Sequence, residues 1–239
     1  MLRTAMLVAS AAPIFLLAAG CAQAVDRTFA TEAGEIHVEA FADGLFYPWA
    51  IAFLPDGDML VTERPGNLRH VSATGALSDP IAGVPEVDVR NQGGLLDVAL
   101  DPDFASNRLV YLSFSEAGEG GNSTAVARGR LNDDMSALEA VEVIFSQKPK
   151  VDSTAHFGSR LVFDRQGNLF VTMGDRSNAE FRDQAQNLGS HIGTIARIRP
   201  DGSVPDDNPF VGRDDALPEI YAYGIRNSQA AALHPETGE

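Results

Sequence analysis

One local pattern recurs four times along the chain and limits what it can fold into. An apolar pair two residues apart is followed by a turn containing Pro, Asp or Gly and then, in the first three occurrences, by a second apolar run. It appears as Ile51-Ala-Phe53-Leu-Pro-Asp-Gly57-Asp-Met-Leu-Val61, then from Val98 to Tyr111, from Leu161 to Val171, and from Ala231 to Gly238. Apolar residues at a period of two on either side of a polar turn describe a β-hairpin, and no stretch shows sustained helical periodicity. The occurrences lie roughly 50–70 residues apart, wide enough for four-stranded blades with long loops between them. The expectation is an all-β chain forming a β-propeller, with about four blades present. A β-sandwich is the alternative architecture, although it does not by itself generate the same hairpin repeatedly.

The fourth occurrence stops at Gly238-Glu239, where the others continue into a second strand. Residues 25–239 are therefore expected to be a partial propeller, the N-terminal piece of a longer protein whose sheet edges need partners.

Residues 1–24 read as a leader. Arg3 precedes an almost uncharged apolar stretch from Ala5 to Ala19, too short and too closely bounded by small residues for a membrane span. Two processing routes fit: cleavage before Val25 after Ala22-Gln23-Ala24, or a lipobox at Leu17-Ala18-Ala19-Gly20 ending in a lipidated Cys21. Either route exports the protein to the periplasm, the second with a lipid anchor to the outer membrane. Cys21 is the only cysteine, so the folded part has neither a disulfide nor a thiolate metal site. The formal net charge of −15 repels phosphate backbones and anionic lipid surfaces, which excludes nucleic acid as a partner.

Chemistry on such a scaffold belongs to the loops at one end of the strands. Four stretches place polar side chains in turns rich in Gly or Pro: Tyr47-Pro-Trp49, Arg90-Asn-Gln92-Gly-Gly94, Ala155-His156-Phe-Gly-Ser-Arg160 and Tyr223-Gly-Ile-Arg226-Asn227-Ser-Gln229. A lone histidine in a turn is ordinarily bonded to backbone, an Arg-Asn pair can simply cap a turn, and Trp49 can equally be blade packing. The Asp201, Asp206, Asp207 and Asn208 cluster lacks EF-hand spacing and its closing Glu, and His37, His70, His191 and His234 show no metal-ligand spacing. Asn122-Ser-Thr124 is a formal glycosylation sequon.

Longer phrases are more specific. Pro48-Trp49-Ala-Ile-Ala-Phe-Leu-Pro-Asp-Gly57, Val61-Thr-Glu-Arg-Pro-Gly66, Gln92-Gly-Gly-Leu-Leu-Asp-Val-Ala, His156-Phe-Gly-Ser-Arg-Leu-Val-Phe-Asp164, Pro200-Asp-Gly-Ser-Val-Pro-Asp-Asp-Asn-Pro-Phe210 and Tyr223-Gly-Ile-Arg-Asn227 together resemble the glucose/sorbosone dehydrogenase family, nearest its periplasmic aldose sugar dehydrogenase branch. The resemblance spans roughly residues 35–239. It implies a six-bladed propeller that binds pyrroloquinoline quinone (PQQ) and calcium, oxidises an aldose at C1 by hydride transfer, and passes electrons to an external acceptor. It implies His156 as the base, since imidazole titrates near neutrality. Arg226 faces the quinone as catalytic cation and cofactor ligand, and Gln92 and Asn227 contact cofactor or sugar. The calcium ligands are expected beyond residue 239. Thr194, where the family has lysine, and Ser228-Gln-Ala-Ala231, where it has Pro-Gln-Gly, depart from the pattern near Arg226. A lactonase-type hydrolytic propeller and a non-catalytic periplasmic binding propeller are the competing functions.

Overall fold

The computed structural model describes residues 25–238 of the 239-residue chain. The leader reading for residues 1–24, Cys21 included, lies outside the described residues. Among those residues no helix is long and apolar enough to cross a membrane.

The chain divides into two compact units, the first ending at Ala40 and the second beginning at Phe41. The described part of the first is an antiparallel hairpin of β1 (Asp26–Thr31) and β2 (Gly34–Glu39). Its register puts Phe29 opposite Ile36 and Arg27 opposite Val38 on one face, and Thr28 opposite His37 on the other.

The second unit holds three four-stranded antiparallel sheets, each built from strands in chain order. Sheet 1 contains β3 (Pro48–Phe53), β4 (Met59–Glu63), β5 (Asn67–Val71) and β6 (Leu77–Ile81). Sheet 2 contains β7 (Leu95–Leu100), β8 (Leu109–Gly118), β9 (Gly121–Leu131) and β10 (Leu138–Ser146), with a four-residue helix α1 (Phe104–Asn107) in its first turn. Sheet 3 contains β11 (Leu161–Phe163), β12 (Leu169–Thr172), β13 (Thr194–Ile198) and β14 (Ile220–Tyr223), with the short helix α2 (Ala179–Arg182) after β12.

The recurring sequence pattern is the first hairpin of each sheet. In sheet 1 the Leu54 amide donates to the Asp58 carbonyl at 2.8 Å and Gly57 closes back on Leu54 at 3.0 Å. Sheet 3 repeats this with Asp164 and Asn168 at 2.9 Å and Gly167 on Asp164 at 3.2 Å. The fourth occurrence supplies a turn, its Gly238 amide on the His234 carbonyl at 2.9 Å, but no strand among the described residues. Of the expected four or so repeats, three are four-stranded sheets among the described residues and the fourth is a turn. The physical reason is pairing: in the other repeats the first strand is held in extended form by the strand that follows the turn.

Alternation along the strands of sheet 2 feeds two separate cores. On β8, Val110, Leu112 and Phe114 join Leu60, Leu68 and Ile81 of sheet 1, whereas Tyr111 faces Leu169, Val171 and Ala196 of sheet 3. Sheet 2 is therefore apolar on both faces, as a propeller blade between two neighbours must be. The first strands converge, with β7 packed against β3, β4 and β11.

At that convergence one polar device repeats. The buried hydroxyl of Thr62 on β4 accepts the amide of Ala50 on β3 (3.0 Å) and donates to the carbonyl of Leu96 in the next sheet (2.6 Å). Ser113 on β8 accepts from Asp97 (2.9 Å) and donates to Ser159 (2.6 Å). Thr172 on β12 accepts from Arg160 (2.9 Å) and donates to Ser228 (2.7 Å). Each bridge satisfies one amide and one carbonyl that packing would otherwise bury unpaired.

Removing the middle bridge exposes this dependence. Ser113→Ala is expected to lower unfolding free energy by about 1–3 kcal/mol because two buried backbone groups lose their partner. Ile51→Ala, at a site 49% exposed, should cost less than about 0.5 kcal/mol. Urea unfolding followed by far-UV circular dichroism separates the two.

Candidate active site

The acceptors of the three bridges fix where the chemistry-bearing loops sit. Leu96 lies four residues after Gln92, Ser159 three after His156, and Ser228 directly after Asn227. Each hydroxyl therefore holds down the loop that opens the next repeat, and the strands carry those loops to one end of the assembly.

The loops are then stitched to one another. Gln92 donates its backbone amide to the Thr154 carbonyl at 3.0 Å, and its side-chain Oε1 accepts the His156 amide at 2.9 Å. Asn227 Oδ1 accepts the Gly158 amide at 2.9 Å. Asp175 joins the other two: its amide donates to the Arg226 carbonyl at 2.7 Å, and its carboxylate Oδ1 meets His156 Nδ1 at 2.6 Å. Gln92, His156, Arg226 and Asn227, far apart in sequence, thus meet through single hydrogen bonds or one intervening residue.

Two glycines make the approach possible. At Gly94, with φ +143°, a Cβ would lie 1.9 Å from the Arg64 carbonyl oxygen, and at Gly174 one would lie 2.1 Å from that of His156. His156 itself takes a left-handed φ of 52°, a conformation retained because Gln92, Asp175 and the Gly174 approach over-determine it.

The Asp175 contact decides the chemistry of the ring. A carboxylate oxygen accepts, so Nδ1 of His156 carries the proton and Nε2 is left as the acceptor. The His156 side chain is 16% exposed and that of Asp175 only 6%. The same Asp175 oxygen also accepts the Ser177 amide at 2.9 Å, which prevents the carboxylate from turning away.

Donors remain at the rim. The exposed Arg226 guanidinium, Gln92 Nε2 and Asn227 Nδ2 take part in none of the hydrogen bonds or ion pairs formed among the described residues. One cation and two amide donors are a complementary set for the carboxylate and quinone oxygens of PQQ. A metal is different: among the described residues no three or more His, Cys, Asp or Glu side chains come together to hold one. Next to Gln92 opens a cleft of about 400 Å³ lined by Tyr47, Trp49, Arg64, Asn91, Gln92 and Gly158, among others. His156 and Arg226 do not line it directly. A larger cleft of about 790 Å³, against Phe170, Arg197 and Tyr221 of sheet 3, contains none of the four expected site residues.

Several supporting residues carry no sequence signal of their own. Asp175 and Arg176 follow β12 in a Gly-Asp-Arg turn, and such a turn at a strand end next to the expected loops is the only cue to them. Arg176 is fully buried, with its guanidinium 3.8 Å over the Phe157 ring and Nη2 donating to the Ser153 carbonyl at 2.8 Å and to Asn122 Oδ1. Burial holds this guanidinium down to about 10. Asn122 is itself buried, with its amide nitrogen on Asp88 Oδ2 at 2.8 Å, so the sequon is a structural asparagine. Asp97 receives the Leu161 amide and Arg160 Nη1, yet burial still pushes its carboxyl up. Thr194, in place of the family lysine, is buried with its hydroxyl on the His191 carbonyl at 2.8 Å.

Residues 45–239 match the family model described as Glucose / Sorbosone dehydrogenase. The chain belongs to the glucose/sorbosone dehydrogenase family. It is 48% identical over 202 residues to the aldose sugar dehydrogenase YliI of Escherichia coli, covering 84% of this chain and 54% of that protein. The apo-form crystal structure of the soluble aldose sugar dehydrogenase from Escherichia coli superposes with a TM-score of 0.80 at 46% identity, over 84% of this chain and 57% of that one. The PQQ-bound aldose sugar dehydrogenase of Streptomyces coelicolor superposes with a TM-score of 0.68 at 33% identity, over 78% and 53%. The chain spans about half the length of these relatives. The three sheets are accordingly blades of the propeller-like family fold.

The loop carrying Gln92 has an acid-sensitive brace. Hydrogen bonds from Arg90, and from Asn122 after it, hold the Asp88 carboxyl at about 2, against an ordinary 3.8. A carboxyl depressed by folding stabilises the fold above its unfolded value and loses that contribution as pH falls through the folded one. The wild-type chain should therefore lose more stability than Asp88→Asn between pH 4 and pH 2, and the two should run parallel above pH 5. Urea midpoints measured at pH 6, 4, 3 and 2 check this.

Proposed function

We propose that this chain carries the first catalytic loops of a PQQ-dependent aldose dehydrogenase that oxidises the C1 hydroxyl of a cyclic aldose to the lactone. The observation that carries the reading is the His156–Asp175 contact of 2.6 Å, which leaves Nε2 free to accept a proton beside a set of unpaired donors. PQQ, when bound, supplies the two-electron acceptor for the hydride that leaves C1. His156 Nε2 takes the hydroxyl proton as the hydride departs, and the Asp175 carboxylate stabilises the resulting imidazolium and fixes the ring. Gln92 and Asn227 place amide donors at the rim, while Arg226 offers a cation to the cofactor's oxygens and to the charge that builds on them.

A PQQ-bound relative and the shared family fold support the cofactor assignment. Calcium, which the resemblance implies, would need ligands other than a carboxylate cluster of the described residues. Export by the leader to the periplasm, with or without lipidation at Cys21, and delivery of electrons to an external acceptor complete the proposal.

His156→Ala should lower kcat by about 10²–10⁴ while leaving quinone affinity nearly unchanged, because the proton loses its acceptor but the donor set remains. Arg226→Ala should weaken quinone retention and slow reduction together, since its charge acts on ground and transition states alike. PQQ titration followed by single-turnover reduction with glucose resolves the pair. Reduction at wild-type speed in His156→Ala would exclude the histidine as base.

A further inference from the structure

The cleft beside Gln92 has an aromatic end that the proposed reaction does not use. Tyr47 precedes Pro48 at the start of β3, takes a left-handed φ of 50°, and is 60% exposed. A non-glycine residue in that conformation is costly unless its surroundings hold it. Here they do: the Phe46 amide donates to the buried Glu63 Oε1 at 2.7 Å, and the Tyr47 carbonyl accepts the Arg64 amide at 3.0 Å. The chain thus holds a strained backbone in a fixed position in order to present a large ring to solvent.

The ring's setting indicates what it receives. Phe46 and the Tyr47 ring pack in a T-shape with centroids 4.6 Å apart, and the Arg64 guanidinium lies over the ring with Cζ 5.3 Å from the centroid, while most of Tyr47 stays open to solvent. Arg64 Nη1 is anchored to the carbonyls of Asn91 (2.6 Å) and Gly93 (3.1 Å), the residues flanking Gln92. Tyr47 is therefore coupled rigidly to the catalytic loop while standing one side chain away from it. Its hydroxyl takes part in none of the hydrogen bonds formed among the described residues, and Trp49 and the Asn91 amide line the same cleft. An aromatic face beside amide and hydroxyl groups suits a pyranose, whose C–H face carries partial positive charge and whose rim carries hydroxyls. At about 400 Å³ the cleft falls within the range of small-ligand sites, about 300–1,000 Å³.

Resting on the oxidation proposed above, we infer that Tyr47 is a specificity-determining residue that stacks on the second pyranose of a reducing oligosaccharide whose first ring presents C1 to His156. The residue does not touch the reacting atoms; it sets preference by chain length. Its preorganised backbone removes the ordering cost that a flexible loop would incur on binding.

Trp49 is the only tryptophan of the sequence and lies in this cleft, so its emission reports occupancy without any turnover. Titration of the cofactor-free protein with glucose and with maltotriose should give an affinity at least fivefold tighter for maltotriose. Tyr47→Ala should bring the two within about twofold by weakening maltotriose alone, and Tyr47→Phe should restore the preference. Equal affinities in the wild type, a preference unchanged in Tyr47→Ala, or equal weakening of both sugars would overturn the inference. Quinone-dependent oxidation of glucose, measured in parallel, tests the underlying reaction separately: its absence with the affinity ratio intact removes the oxidation and leaves the carbohydrate platform.

Discussion

The second unit depends on a hydroxyl group placed on the second strand of each of its three four-stranded sheets. Thr62 and Ser113 each accept an amide of their own first strand, Thr172 accepts that of Arg160 just before β11, and all three donate to a carbonyl of the following repeat. Apolar packing between blades is not directional and leaves their relative rotation and height loosely set. A buried hydroxyl with one donor and one acceptor at fixed positions is directional, and leaving either partner unpaired carries the full desolvation penalty. The two interactions have separate roles, in that the alternating faces of β8 hold blades together while the bridges set where each blade's leading loop stands.

That separation explains why a site can be assembled from loops roughly 65–70 residues apart in sequence. Gln92, His156 and the Arg226-Asn227 pair each sit within a few residues of a bridged carbonyl. Asp175 then sits at the centre, with its backbone on Arg226 and its carboxylate on His156. A single residue thereby links the position of the Arg226 backbone to the tautomer of His156, so displacing either loop disturbs both.

Much of this was legible in the sequence. The period-two hairpins mark the first two strands of each sheet, since alternation and a Pro-Asp-Gly turn are local signals. The sheet partners β5, β6, β13 and β14 are less evident, because their register comes from pairing with the strand before each of them rather than from their own composition. The fourth repeat is represented by its turn alone, because a turn such as His234–Gly238 marks a hairpin whether or not its second strand follows. The family phrases point to Gln92, His156 and Asn227, and hydrogen bonds bring these together, yet no spacing rule announces Asp175 or Arg176. Their roles arise only when β12 and β13 bring the Gly174 turn beneath His156. The bridging hydroxyls are equally silent, since a Thr or Ser inside Val-Thr-Glu, Leu-Ser-Phe and Val-Thr-Met looks like ordinary strand composition.

The first hairpin of each sheet has a consequence for how this scaffold tolerates change. Its leading strand begins at a chemistry-bearing loop and ends at the turn, so the turns at residues 54–58, 101–108 and 164–168 stand at the opposite end of the strands from the site. One of them already contains an inserted helical turn, Phe104–Asn107, and its sheet keeps the same strand order as the others. The underside of the assembly is thus a permissive surface, where added residues, fused modules or tethers to a solid support can be accommodated while the opposite rim keeps its geometry.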